Sequence, residues 1–137
     1  YRKRISGPII DRVDMWVEVS KIDYEKLAMR GSGGESEKIR RRVEEARKIQ
    51  KERFGREKIK GVKTNSNMSS RDVTNLLDLS CETRRILNNF AERLGMSARS
   101  YHRIIKLART IADLENSEKI KTPHVFEALQ YRPKTNY

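Results

Sequence analysis

Cysteine occurs once in these 137 residues, at Cys81, which excludes an internal disulfide framework and fits a reducing compartment. Cys81 falls in an apolar helical pattern and reads as a small core residue, not a nucleophile. Histidine is almost as scarce. His102 and His124 have no second cysteine to join and no His-Glu-x-x-His spacing, so no zinc site is expected and both read as surface or half-buried residues. No apolar run approaches the roughly 20 residues of a membrane span, and the N-terminus lacks a signal peptide's apolar segment, so a soluble protein is expected. An initiator methionine is absent as well: Tyr1-Arg2-Lys3-Arg4 runs straight into patterned sequence, as a piece of a longer protein would.

Catalytic motifs are missing too. There is no Gly-x-x-x-x-Gly-Lys-Ser/Thr loop, and Gly31 to Gly34 has neither its spacing nor its lysine. Nothing pairs a nucleophile with a base. The chain by itself is therefore expected to hydrolyse no nucleotide.

What is present is charge. Lys and Arg total 31 against 19 Asp and Glu, a formal net charge of +12, which draws the chain toward polyanions such as nucleic acid or anionic membrane surfaces. Apolar and charged residues make up 36% each, lean for a self-sufficient globule but adequate for amphipathic helices.

Ser6-Gly7-Pro8 suits the entry to a short helical turn. Val13, Met15, Val17 and Val19 then alternate with Asp14, Trp16 and Glu18, the period of a strand with one buried face. A lone strand does not stand by itself, and no second one follows. Lys21 to Met29 reads as a short helix. Arg30-Gly-Ser-Gly-Gly34 is a flexible joint by composition.

From Glu35 to Phe54 the pattern predicts the longest helix, with Ile39, Val43, Ala46 and Ile49 as a narrow apolar stripe. Arg40, Arg41, Arg42, Arg47, Lys48, Lys51 and Arg53 suit either a nucleic-acid-facing surface or a solvated face. Gly55 to Asn67, with Lys58, Lys60 and Lys63, reads as a loop.

Short helices follow in close order. Ser69 or Ser70 caps one bearing Val73, Leu76 and Leu77; Ser80 caps another bearing Ile86, Leu87, Phe90, Ala91 and Leu94. Gly95 stops it, and Ser97 caps a long helix with Tyr101, Ile104, Ile105, Ala108, Ile111, Ala112 and Leu114 on one face. Thr122-Pro123 opens a last helix with Val125, Phe126, Ala128 and Leu129. Together these predict a small all-helical bundle, ended by Arg132-Pro133 and followed by a loose tail.

Arg99 lies in the first turn of the Ser97 helix, where the macrodipole disfavours a cation, so it asks for an anion such as a nucleotide phosphate. In a chain this basic, solvent or a surface carboxylate would also serve.

Ser6-Gly-Pro-Ile-Ile-Asp-Arg-Val-Asp14 with the valine-rich stretch after it, and Ser97-Ala-Arg-Ser-Tyr-His-Arg-Ile-Ile-Lys-Leu-Ala-Arg-Thr-Ile-Ala-Asp-Leu114, together resemble the C-terminal part of magnesium-chelatase-like AAA+ ATPases of the ComM/YifB type. The resemblance covers nearly the whole chain, and His124 to Arg132 also fits. It implies a mainly α fold: a helical lid over the nucleotide, preceded by a short strand-containing edge of the α/β nucleotide-binding core. Residues 1–30 would be that edge, 31–34 the joint, 35–132 the lid and 133–137 the tail.

The resemblance also assigns roles. Arg12 matches the arginine finger that reaches the γ-phosphate held by a neighbouring subunit; otherwise it would pair with Asp11 or Asp14 to hold the turn. Arg99 matches the sensor-2 arginine, which touches the phosphates of its own subunit. Arg103, one turn on, becomes a further phosphate contact or a structural residue. ATP and Mg2+ are the implied cofactors of the full-length protein. An upstream AAA+ core, a homo-oligomeric, hexameric ring, and DNA are the implied partners, in the cytoplasm and away from membranes. The branch is associated with transformation and the movement of branched DNA. Insertion of magnesium into porphyrin, by the related ATPase subunit, is the alternative, and a basic adaptor without nucleotide is a second.

Overall fold

The computed structural model describes residues 9, 12–20, 34–59 and 61–132. Among them run five α-helices: α1 (Gly34–Arg56), α2 (Ser70–Leu76), α3 (Cys81–Arg93), α4 (Ala98–Leu114) and α5 (Thr122–Gln130), with a 3₁₀ turn at Asn65–Asn67. The architecture is the mainly helical bundle that the pattern predicts, in keeping with the lid that the resemblance implies.

Three serines fix three helix starts. The Ser69, Ser80 and Ser97 side chains accept hydrogen bonds from the backbone N–H groups of Asp72, Thr83 and Ser100, satisfying donors that a first turn leaves without partners. At α2 the exchange is reciprocal, because the Asp72 carboxylate accepts from the Ser69 N–H at 2.7 Å. α5 uses a different device: the N–H of Lys121 donates to His124 Nδ1 at 3.0 Å.

Three of the helix ends share one geometry. Gly95 (φ +55°) bonds Glu92 O and Met96 bonds Ala91 O, the paired closure of a Schellman motif. The same pair closes α4 on Asn116 (φ 54°) and α1 on Lys58 (φ 51°). Only glycine takes that backbone without steric cost, so Lys58 is held there by its neighbours.

α4 is the axis of the bundle. It packs most extensively on α5 and also touches α1, α2 and the 3₁₀ turn. Ala108 and Ala128 are fully buried, and their small side chains let α4 and α5 approach closely, with Leu87 and Val125 filling the space around them. Burial of this kind makes a Leu→Ala change typically cost about 2–5 kcal/mol. A single parallel bridge, Leu79 to Ile120, joins the segments leading into α3 and α5, and Thr83 Oγ1 meets Thr122 Oγ1 at 3.0 Å beside it.

Several expectations need correction. Residues 12–20 form no strand, and Val17 and Val19 are 64% and 85% exposed, because no neighbouring strand is present among the described residues to receive them. Cys81 is exposed, since as the first residue after the Ser80 cap it sits on the outer side of α3. His124 is buried, not half-exposed. The stretch 55–67 is more ordered than a loop: α1 continues to Arg56, and Asn65 is buried. On α1 the apolar stripe is only half used. Ala46, Gln50 and Phe54 are buried, whereas Ile39 and Val43 are 59% and 43% exposed, as the first turns extend past the described bundle. Leu94 and Phe126 are exposed too, Phe126 standing edge-on to Phe90. The turn expected at Ser6, the helix at 21–29, the 31–34 joint apart from Gly34, which begins α1, and the tail after Arg132 lie outside the described residues.

Candidate functional site

The site is built on the first half of α4. Ser97 ends the preceding turn and caps the helix, placing Arg99 one residue inside it. No acidic residue occupies that first turn. Arg99 is exposed and makes no ion pair with a described residue, so a permanent cation stands beside the positive end of the helix dipole. The bonding nearby is firm: the Tyr101 hydroxyl donates to Asn88 Oδ1 at 2.8 Å, and burial raises its pKa above the ordinary phenol value against the opposing pull of Arg84.

Steps of four, three and four residues place Arg99, Arg103, Lys106 and Thr110 on one face of α4. Their fates differ along it. Arg103 Nε lies 2.9 Å from Asp14 Oδ1, an ion pair without hydrogen-bond alignment, with the arginine side chain 14% exposed and the aspartate 68%. Lys106 Nζ donates to Ser66 O at 3.2 Å, and Thr110 Oγ1 accepts from Asn65 Nδ2 at 3.0 Å. Asp14, Ser66, Arg103, Lys106, Leu107 and Thr110 line a cavity of about 70 Å³ there.

The segment carrying Arg12 is thereby attached to α4. Arg12 itself is exposed, its N–H bonding Ile9 O at 2.9 Å. Two residues on, Asp14 is taken by Arg103, so the alternative pairing of Arg12 with Asp14 is not the one formed; Asp11 lies outside the described residues. The Trp16 N–H donates to Tyr131 O at 2.8 Å, a second attachment at the end of α5. The indole N–H of Trp16 is buried without a hydrogen-bond partner among the described residues.

Behind this face lies a buried charged cluster that the sequence reading did not assemble. Asp113, its side chain fully buried, holds Arg53 of α1 through both carboxylate oxygens, Arg109 Nε at 3.0 Å and Asn65 Nδ2 at 2.8 Å. Arg109 also donates to the carbonyls of Ser117 and Glu118. Burial is the main influence on Arg109 and lowers its pKa, with the Asp113 charge opposing. Arg53 therefore leaves the set of cations that face outward from α1. The signal available beforehand was the i, i+4 spacing of Arg109 and Asp113 inside an apolar helix.

No three His, Cys, Asp or Glu side chains gather as a metal site among the described residues.

Residues 33–132 match the family model described as magnesium chelatase, subunit ChlI C-terminal. Across 96% of its length the chain is 38% identical to the competence protein ComM of Haemophilus influenzae. It is 34% identical, over the same share, to the uncharacterized protein YifB of Salmonella typhimurium and to that of Escherichia coli. The chain spans 25% of the length of each of these relatives. With the helical lid, the Ser97-capped α4 and a match over most of its residues, this chain belongs to the magnesium-chelatase-like C-terminal family, in its ComM/YifB branch.

Proposed function

We propose that this chain is the lid of an AAA+ ATPase whose subunits form a hexameric ring in the cytoplasm and act on DNA. The observation that carries the proposal is Arg99: an exposed guanidinium in the first turn of a firmly capped helix, with no acidic neighbour in that turn. Bound ATP would supply the transferable phosphoryl group. The part of this chain is charge in the right place. Arg99 meets the phosphates of its own subunit, and Arg12 reaches the γ-phosphate in the next. Each offers a permanent charge and a planar fork to the charge that develops during transfer. Arg103 is not a phosphate contact in this scheme, because Asp14 occupies it. Magnesium and the phosphate loop belong to the upstream core.

DNA is favoured over a porphyrin substrate by the net charge of +12 and by the similarity to a protein named for competence. In the full-length ring, Arg99→Ala lowers both nucleotide affinity and turnover. Arg12→Ala leaves nucleotide binding in place and lowers turnover by about 10³-fold, the scale of an arginine finger. In mixed rings Arg12→Ala disables the neighbour's site and Arg99→Ala its own. Normal, DNA-stimulated hydrolysis by Arg12→Ala rings would overturn the finger assignment, and turnover indifferent to DNA would overturn the choice of substrate.

A further inference from the structure

We infer that Asp14 and Arg103 are positioning residues: their ion pair holds the segment bearing Arg12 to the helix bearing Arg99, so that one subunit's lid position sets how its finger is presented to the next site. Arg103 lies one helical turn from Arg99, and Asp14 lies two residues from Arg12. Their contact, at 2.9 Å, joins the two short paths. A displacement of α4 driven by phosphate at Arg99 is carried to Arg103 within a rigid helix, because the intervening turn is fully hydrogen-bonded and its Ile104 and Ile105 neighbours are buried. From Arg103 it passes to Asp14 through a contact that one partner keeps largely out of water. The Arg103 side chain is 14% exposed, so solvent weakens this pair less than an ordinary surface pair.

A second attachment keeps the segment from pivoting freely. The Trp16 N–H bonds Tyr131 O at the end of α5, the helix that packs most closely on α4. Residues 14 and 16 are thus held to two helices of one bundle, while Arg12 projects beyond them into solvent. An arginine carried on a peptide held by these attachments is sensitive to losing either.

The inference rests on the assignment of Arg12 and Arg99 to phosphate contacts and goes beyond it. It is tested in the full-length ring with Asp14→Asn, Arg103→Gln, the double variant, and the reversed pair Asp14→Arg/Arg103→Asp. Asp14→Asn is the safer variant for folding, because the carboxylate is mostly exposed. Nucleotide affinity, read with a fluorescent ATP analogue, should stay within about twofold in all of them, while turnover falls at least about fivefold, the low end of coupling between sites. The double variant should be no worse than either single, the reversed pair should recover turnover, and in mixed rings the loss should appear at the neighbour's site. Additive losses, normal turnover in Asp14→Asn, or equal loss of affinity and turnover would overturn the positioning role. Arg12→Ala and Arg99→Ala are run beside them. If those change nothing, the assignment beneath has failed; if they act and the Asp14 and Arg103 variants do not, the coupling alone has failed.

Discussion

Replacing Asp113 with asparagine is the sharpest test of what holds α1 on α4. The carboxylate is fully buried and is the only acidic group among the contacts of Arg53 and Arg109 described above. Asparagine keeps the volume and one acceptor oxygen. It removes the charge, and it turns an N–H₂ group toward Arg53 and either Arg109 or Asn65, all of which donate there. The two arginines respond differently. Arg53 is partly exposed and can swing into water, so its loss is small. Arg109 has a side chain only 4% exposed and stays in place, bonded to the Ser117 and Glu118 carbonyls with its charge unopposed. Breaking a buried pair in this way costs about 3–5 kcal/mol, and the escape of Arg53 puts the expectation near 3. That is a large part of the 5–15 kcal/mol total typical of a domain. With a urea slope near 2 kcal/mol/M, the unfolding midpoint followed by circular dichroism should fall by about 1.5 M. Changing Arg53, Asp113 and Arg109 together to Met, Leu and Met should recover much of the loss, because no uncompensated charge is left behind. A cost below about 1 kcal/mol for Asp113→Asn, or a triple variant weaker than the single, would refute the reasoning.

Two further effects follow from the helix ends. The Asp72 pKa lies below its ordinary 3.8, chiefly through the Ser69 hydroxyl and then the Ser69 backbone N–H, so its support of α2 is fully present above the unfolded value and is lost as pH falls through the lower folded value; Asp72→Asn should flatten the acid limb of a stability–pH curve below about pH 4, and an unchanged limb would count against the capping box. Lys58→Gly should raise stability by about 0.5–1 kcal/mol in thermal melts, since φ 51° costs lysine and not glycine, and a lower melting temperature would show that unfolded-chain entropy outweighs the relief.

Features written within a few residues were legible from sequence, and those joining distant residues were not. Ser69, Ser80, Ser97 and Gly95 announced their helix boundaries because the cap and the group it satisfies lie within three residues of each other, or close to it. The burial of Leu87, Ala108 and Val125 followed from helical period alone. Lys58 gave no warning, because lysine at a left-handed position is set by the loop that follows and not by its own preference. Arg53 and Asp113 are 60 residues apart, and no local rule couples them. The strand over Val13 to Val19 failed for the complementary reason: alternation states which side seeks cover, but a strand exists only when another offers hydrogen bonds to it. Among site residues, Arg99 was legible through its place in the helix, whereas Asp14 became informative only once Arg103 was seen beside it.

The three arginines that α4 carries at 99, 103 and 109 show how position along one helix assigns the same side chain to three tasks. Near the N-terminus the neighbouring backbone already presents donors, so Arg99 finds no internal acceptor among the described residues and points its charge outward. At midlength the helix passes under the 12–20 segment, and Arg103 takes the carboxylate that segment brings. Close to the C-terminus the chain leaves the helix and turns past it, and Arg109 gives Nη1 and Nη2 to the carbonyls of Glu118 and Ser117 in that following segment while Nε holds Asp113. Lysine could not replace it, since one ammonium cannot span three acceptors in a fixed plane. The cations free to meet phosphate are therefore fewer than the composition suggests, and on α4 the arginine left without a described partner is the one at the capped, positive end.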